Sequence, residues 1–124
     1  ARIRRRWQAG DRVVLDLPMP PRRVLAHDGV ADARGKAAIE RGPLVYAVEA
    51  ADNGGRVLDL RLPLDAPLRH EHRADLLGGI TIVTATARRA AAPGRDEPHQ
   101  LVAVPYYAWA NRGKGEMAVW IPFE

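Results

Sequence analysis

Val104–Pro122, VPYYAWANRGKGEMAVWIP, is the stretch whose reading decides the fold. An apolar and aromatic run leads into Asn111-Arg112-Gly113-Lys114-Gly115, and an alternating run from Met117 to Ile121 leads out. Gly and Asn supply the positive backbone φ that tight reversals need, so the stretch reads as a β-hairpin. In its second arm Met117, Val119 and Ile121 share one face and Ala118 and Trp120 the other, the period of a strand. The first arm, read the same way, sets Tyr106 opposite Tyr107 and Trp109. Two of the three Trp and two of the three Tyr lie here, so aromatic packing or recognition is concentrated in one place.

Working outward, period-two alternation recurs. Ile3, Arg5 and Trp7 oppose Arg2, Arg4 and Arg6; Val13, Leu15 and Leu17 oppose Arg12 and Asp16; Leu58, Leu60 and Leu62 oppose Asp59 and Arg61. Leu44, Tyr46 and Val48 alternate with Val45 and Ala47, and Ile80–Thr86 is a β-branched run suited to a pleated surface. Turn signals at 9–11, 18–21, 28–29, 41–43, 52–55 and 78–79 divide these segments. Ala31–Glu40 and Ala85–Ala92 have helix-forming composition but no amphipathic stripe, and Ala90–His99, with two Pro, reads as one long mobile loop. The pattern predicts an all-β chain, a single antiparallel β-sandwich of jelly-roll type over residues 1–124.

Composition narrows the function. Hydrophobic content of 47% and charge of 27% suit a folded domain with a core of its own. No apolar run approaches the ~20 residues of a membrane-crossing helix, so no membrane partner is expected. The first residues lack the apolar stretch of a secretory signal; the compartment stays open, with the cytoplasm slightly favoured. Starting at Ala1-Arg2-Ile3 without Met, the chain reads as a piece of something longer. It contains no Cys and no Ser, which removes disulfides, thiolate metal sites and both of those nucleophiles. A net charge of +4 raises nucleic-acid binding, but the Arg residues are scattered apart from Arg2–Arg6, and a solvated strand face accounts for those; no nucleic-acid partner is expected.

Few groupings could carry chemistry. His70 and His72 share a strand face at a spacing a metal tolerates, yet zinc needs further ligands, and His27 and His99 join only by supposition. No metal site is therefore expected. Glu40, Glu49, Asp52 and Glu116 are candidates for the carboxylate pair that glycoside chemistry requires. For Glu49 a structural ion pair with Arg41 or Arg112 is the simpler role. Gly113-Lys114-Gly115 is too short for a phosphate loop. Tyr106, Tyr107, Trp109 and Trp120 could stack on sugar rings or fill a core or interdomain contact.

Arg6-Trp7-Gln8-Ala9-Gly10-Asp11, Leu17-Pro18-Met19-Pro20, Glu40-Arg41-Gly42-Pro43-Leu44-Val45-Tyr46 and the closing PYYAWANRG…GEMAVWIP occur in order over nearly the whole chain. This pattern resembles the C-terminal end of glycoside hydrolase family 127, the β-L-arabinofuranosidase-like enzymes. The resemblance implies a longer retaining hydrolase: a helical toroid followed by β-sandwich domains, with a zinc-bound cysteine thiolate as nucleophile and a glutamate as acid/base. No position here matches those motifs, so no catalytic residue carries over, and zinc is implied only for the catalytic domain. Relatives often have Cys after RGPLVY; here Ala47 reads as a small core residue. The expectation is a non-catalytic accessory domain that packs on the catalytic domain of the same polypeptide or mediates a homodimer. Tyr107, Trp109, Asn111 and Arg112 are its expected contact residues. A carbohydrate-binding module stacking sugars on exposed Trp or Tyr is the alternative.

Overall fold

The computed structural model describes residues 2–92 and 94–123. Among the described residues nine strands occur: β1 (Pro21–Leu25), β2 (Lys36–Arg41), β3 (Leu44–Glu49), β4 (Leu60–Arg61), β5 (Arg69–Arg73), β6 (Ile80–Ala92), β7 (Arg95–Pro105), β8 (Met117–Ala118) and β9 (Ile121–Pro122). Three single 3-10 turns, Ala31–Ala33, Ala50–Asp52 and Tyr106–Ala108, are the only helical pieces among the described residues. The chain is a single all-β domain.

Every strand pairs antiparallel within one sheet, in the order β1-β2-β3-β7-β6-β4, with β5 also on β6, β8 on β3 and β9 on β2. The expectation of two packed sheets, a sandwich or jelly roll, is corrected: one sheet curls strongly on itself into a half-barrel. Cross-links between distant strands hold the curl. Leu62 N donates to Pro122 O at 2.7 Å, and the Arg23 guanidinium donates to Ala66 O. Short strands with frequent turns give the same sequence signature in either architecture; only the pairing separates them.

The long β6–β7 hairpin carries the fold. Its register runs from Val83↔Ala103 through Ala87↔His99 to Ala92↔Arg95, with a bulge between Ala90 and Ala92. Ala90–His99 is thus paired strand rather than mobile loop; Pro93 lies outside the described residues. Alternation separates two cores. Val83, Ala85, Ala87, Leu101 and Ala103 point into the curl with Ile39, Tyr46, Val48, Leu60 and Leu62. Ile80, Ile82, Val104 and Ala108 form a smaller cluster on the outer face with Leu76, Leu77 and Val102. From Tyr46 to Glu49, β3 is buried on both faces, which suits its apolar run there. Ala47, completely buried, occupies the outer face opposite Val104. Tyr46 fills the inner core and satisfies its hydroxyl by donating to Thr81 O at 2.9 Å. Burial raises that phenol's pKa above its ordinary value, against the lowering effect of nearby Arg41.

The hairpin expected over Val104–Pro122 does not form. Pro105 ends β7, a 3-10 turn reverses the chain, and the second arm lands on a different strand. β8 pairs with β3 (Val48↔Ala118, Glu49↔Met117), and β9 pairs with β2 (Lys36↔Pro122, Ala37↔Ile121). β1 already occupies the other side of β2, and β7 the other side of β3. The last segment therefore wedges between β2 and β3 where their pairing stops beyond Ile39↔Tyr46. Positive φ falls on Ala110 (65°) and Gly113 (104°), not on Asn111.

The segments Ile3–Trp7 and Val13–Leu17 also differ from expectation. No strand forms among residues 2–20. Leu58 is exposed, and only Leu60 and Leu62 of its run face the core. Met19 is seated over the β2–β3 turn: a Cβ added to Gly42 would meet its sulfur at 2.5 Å. The LPMP and RGP motifs, distant in sequence, are thus two halves of one contact.

Candidate functional site

β3 ends at Glu49 and the 3-10 turn Ala50–Asp52 follows at once, so two carboxylates emerge on one corner of the sheet. The loop from Trp109 to Glu116 folds over that corner. Arg112 Nη2 reaches Glu49 Oε2 at 2.5 Å, while Nη1 and Nη2 grip both oxygens of Asp52 at 2.5 Å. This is the planar bidentate fit that guanidinium offers a carboxylate, extended to a second acid. The Glu49 side chain is 8% exposed, that of Asp52 14% and that of Arg112 20%, so the cluster is largely withdrawn from water. Glu49 Oε1 accepts a further bond from Ala110 N at 3.0 Å. The hydrogen bonds to Asp52, followed by those to Glu49, raise the Arg112 pKa against the opposing effect of burial. Its charge is fixed at every accessible pH.

Two neighbours complete the corner. Asn53, fully buried, imitates a strand residue: its Nδ2 donates to Val102 O at 2.9 Å and its Oδ1 accepts from Val102 N at 3.0 Å. Nδ2 also donates to Glu49 O at 2.8 Å. Glu116 Oε2 accepts from Val57 N at 2.8 Å and Leu58 N at 3.1 Å, and Ala50 N donates to Glu116 O at 2.9 Å. The two bonds to its carboxylate hold the Glu116 pKa below its ordinary value. Between corner and loop lies an open cleft of about 770 Å³, bordered by Glu49, Trp109, Arg112, Lys114 and Glu116. Its carboxylates are already engaged, by Arg112 or by backbone N–H groups.

The aromatic residues sit on the outside of this clasp. Tyr106 and Trp109 stack with ring centroids 5.8 Å apart and planes 25° from parallel. The 3-10 turn brings residues three apart onto one side, so the strand reading that set them on opposite faces is corrected. Tyr107 is 66% exposed and Trp109 40%. Asn111 Nδ2 donates to Ala108 O at 3.1 Å and Trp109 O at 3.2 Å, bracing the loop from within. Arg41 stands elsewhere, at the end of β2 beside Tyr46, and has no ion pair with Glu49. Glu40 is bonded by Arg22 at 2.9 Å on the β1–β2 face.

The remaining candidates lie apart. His70 and His72 are on the exposed strand β5. Among the described residues no group of three or more His, Asp or Glu side chains stands close enough to hold a metal ion. The zinc–thiolate set implied by resemblance does not fit this chain's own residues, which include no Cys. Arg5 of the basic cluster bonds Asp11 at 3.1 Å and lies over the Trp7 ring. Among the described residues no helix is long and apolar enough to cross a membrane. Sequence reasoning missed Asn53 and Arg89. Arg89 donates to Asn53 O at 2.6 Å and to Arg56 O at 2.9 Å, locking the turn beneath the clasp. Asp52-Asn53-Gly54-Gly55 read only as a turn signal, and nothing local marks Arg89 as its partner.

A curled antiparallel sheet with one internally bonded polar corner defines an all-β domain that displays an aromatic loop on a fixed base. Residues 21–122 match the glycoside hydrolase family 127 C-terminal domain, and the chain belongs to that family. The non-reducing end β-L-arabinofuranosidase of Bifidobacterium longum subsp. longum is 39% identical over 129 residues, which cover 90% of this chain and 20% of that protein. Two solved structures are also similar. A GH127 β-L-arabinofuranosidase from Geobacillus stearothermophilus T6 is 41% identical with a TM-score of 0.77, over 86% of this chain and 19% of that one. A second GH127 β-arabinofuranosidase is 35% identical with a TM-score of 0.80, over 86% and 17%. The chain thus spans about a fifth of the length of these relatives.

Proposed function

We propose that this chain is the non-catalytic C-terminal accessory domain of a β-L-arabinofuranosidase-like glycoside hydrolase, and that it packs on the remainder of that enzyme. The observation carrying this reading is the clasp. The acids best placed for glycoside chemistry, Glu49 and Asp52, are neutralised together by Arg112. They therefore fix the 109–116 loop rather than face a substrate. Tyr107 and Trp109, presented on that base, form the contact with the catalytic domain, flanked by Asn111 and Arg112. Exposed aromatics held by a rigid neighbour give much of the burial in such contacts. Zinc and the thiolate nucleophile belong to the catalytic domain in this reading. The test compares Tyr107→Ser/Trp109→Ser in the full-length polypeptide and in the isolated chain. Loss of thermal stability in the first alone supports the contact; unchanged melting of both refutes it.

Carbohydrate binding is the second reading, favoured by the exposed Tyr106–Trp109 stack. It predicts heat of binding to arabinose-containing oligosaccharides that Trp109→Ala abolishes. A homodimer built through the same loop would appear as a concentration-dependent mass in sedimentation.

A further inference from the structure

Asn53 is followed by Gly54. In an Asn-Gly pair the glycine nitrogen meets no Cβ on its way to the side-chain carbonyl carbon, so the asparagine is thermolabile wherever the backbone is free to turn. The fold holds this pair in a non-reactive shape. Asn53 is fully buried, and its Nδ2 donates to both Glu49 O at 2.8 Å and Val102 O at 2.9 Å, so each amide proton is engaged. A ψ of 32° puts Gly54 N on the side of the Cα–C bond away from Cβ. The peptide joining the two residues must swing round before that nitrogen can reach Asn53 Cγ. Arg89 opposes the swing: its Nη2 bonds Asn53 O at 2.6 Å, and its Nη1 lies 3.2 Å from where a Cβ on Gly54 would stand. β3 pairs with β7 only as far as Val48↔Ala103, and the Asn53 side chain continues that edge at Val102.

We propose that Asn53 is a site of spontaneous deamidation, closed in the folded chain and exposed when the corner beneath the clasp opens, and that its reaction makes such an opening permanent. In the step, Gly54 N loses its proton and attacks Asn53 Cγ, and Nδ2 leaves as ammonia. One water then opens the cyclic imide, leaving aspartate or isoaspartate at position 53. Water is the sole co-reactant. Neither product rebuilds the corner. An ionised carboxylate only accepts, so Glu49 O and Val102 O lose their donor and face a buried negative charge. Glu49 and Asp52 stand close by, and Arg112 is already committed to both of them. Isoaspartate also lengthens the main chain by one carbon, inside a turn where Asn53 N and Gly55 N both bond Ala50 O, at 3.1 and 2.9 Å.

Peptide mapping by mass spectrometry tests this on the 124-residue chain, incubated in mildly alkaline buffer with and without denaturing urea. Deamidation at position 53 runs at least ~100-fold more slowly in the folded chain, because it waits on an opening. Asn111, exposed and followed by Arg112 rather than Gly, is the internal reference and stays slow in both solutions. Equal rates at position 53 with and without urea, or a rate in urea no faster than that at Asn111, overturn the proposal. Arg89→Met frees the peptide and speeds the reaction in the folded protein at least ~10-fold. An unchanged rate overturns the proposal; should that variant not fold, the folded and unfolded rates of the parent decide. Reacted chain, separated from unreacted chain by its added charge, melts at a lower temperature and refolds from urea in lower yield. Melting and refolding equal to those of the unreacted chain also overturn the proposal.

Discussion

Replacing Arg112 by Met removes the guanidinium and keeps most of its volume. Two carboxylates, Glu49 and Asp52, then share a corner of the sheet without a cation. Deleting one partner of a fully buried pair costs about 3–5 kcal/mol, because the survivor is left uncompensated. Here the cleft lets water reach the acids, and Ala110 N still bonds Glu49, so about 2–3 kcal/mol is expected. For a domain of this size that is a fall of roughly 6–15 °C in melting temperature. Differential scanning calorimetry of the isolated chain measures it. Adding Glu49→Gln and Asp52→Asn to Arg112→Met restores about half or more of the loss, since no charge is then stranded. Arg112→Lys recovers less, because an ammonium cannot grip both acids at once. A melting temperature for Arg112→Met within about 2 °C of the parent would refute the clasp as a structural element.

Other consequences are as direct. Gly42→Ala sets a Cβ into the sulfur of Met19 at a φ of 59°, and costs roughly 1–2 kcal/mol in chemical denaturation. Pairing it with Met19→Ala removes the clash and recovers part of the loss. Leu101→Ala, at a fully buried position of the inner core, costs about 2–5 kcal/mol by the same assay. His99 is held below the ordinary imidazole pKa chiefly by burial and then by Arg89, so the folded state binds fewer protons there than the unfolded chain. Stability from this group is present above the unfolded value of about 6.5 and is lost as pH falls through the lower folded value. His99→Gln flattens that part of the stability profile. Glu116, depressed by its two backbone bonds, acts the same way at lower pH, so Glu116→Gln weakens the acid dependence below the usual carboxylate range.

Much of the sheet was legible where side chains alternate against a core. Ile80–Thr86 and Leu44–Val48 show strand composition, and both lie in strands. What misled was partner choice. A turn-rich segment between two apolar runs suggests a local hairpin, whereas Val104–Pro122 is drawn across β3 by the bonds of Arg112. Those bonds join residues some sixty positions apart, a distance at which local pattern is silent. The alternation of Val13–Leu17 suggested a strand, yet none forms there, because a period-two pattern becomes a strand only where a neighbour pairs with it. Ala90–His99 looked like a loop because of its charge and prolines, but it is the end of the β6–β7 ladder whose Ala85, Ala87 and Leu101 are packed in the core, and Ala90 N also donates to Asp59 O at 3.2 Å. Of the candidate site, Glu49, Asp52 and Arg112 were each visible as residue types. Their meeting, and Asn53's mimicry of a strand, belong to tertiary structure.

The most direct trial of the account is an assay of 4-nitrophenyl arabinofuranoside hydrolysis by the purified 124-residue chain, with Glu49→Gln/Asp52→Asn as control. No release of nitrophenol above the uncatalysed rate is expected from either protein. Turnover by the parent chain that the double substitution abolishes would show that the clasped carboxylates perform chemistry, and would contradict the scaffold reading.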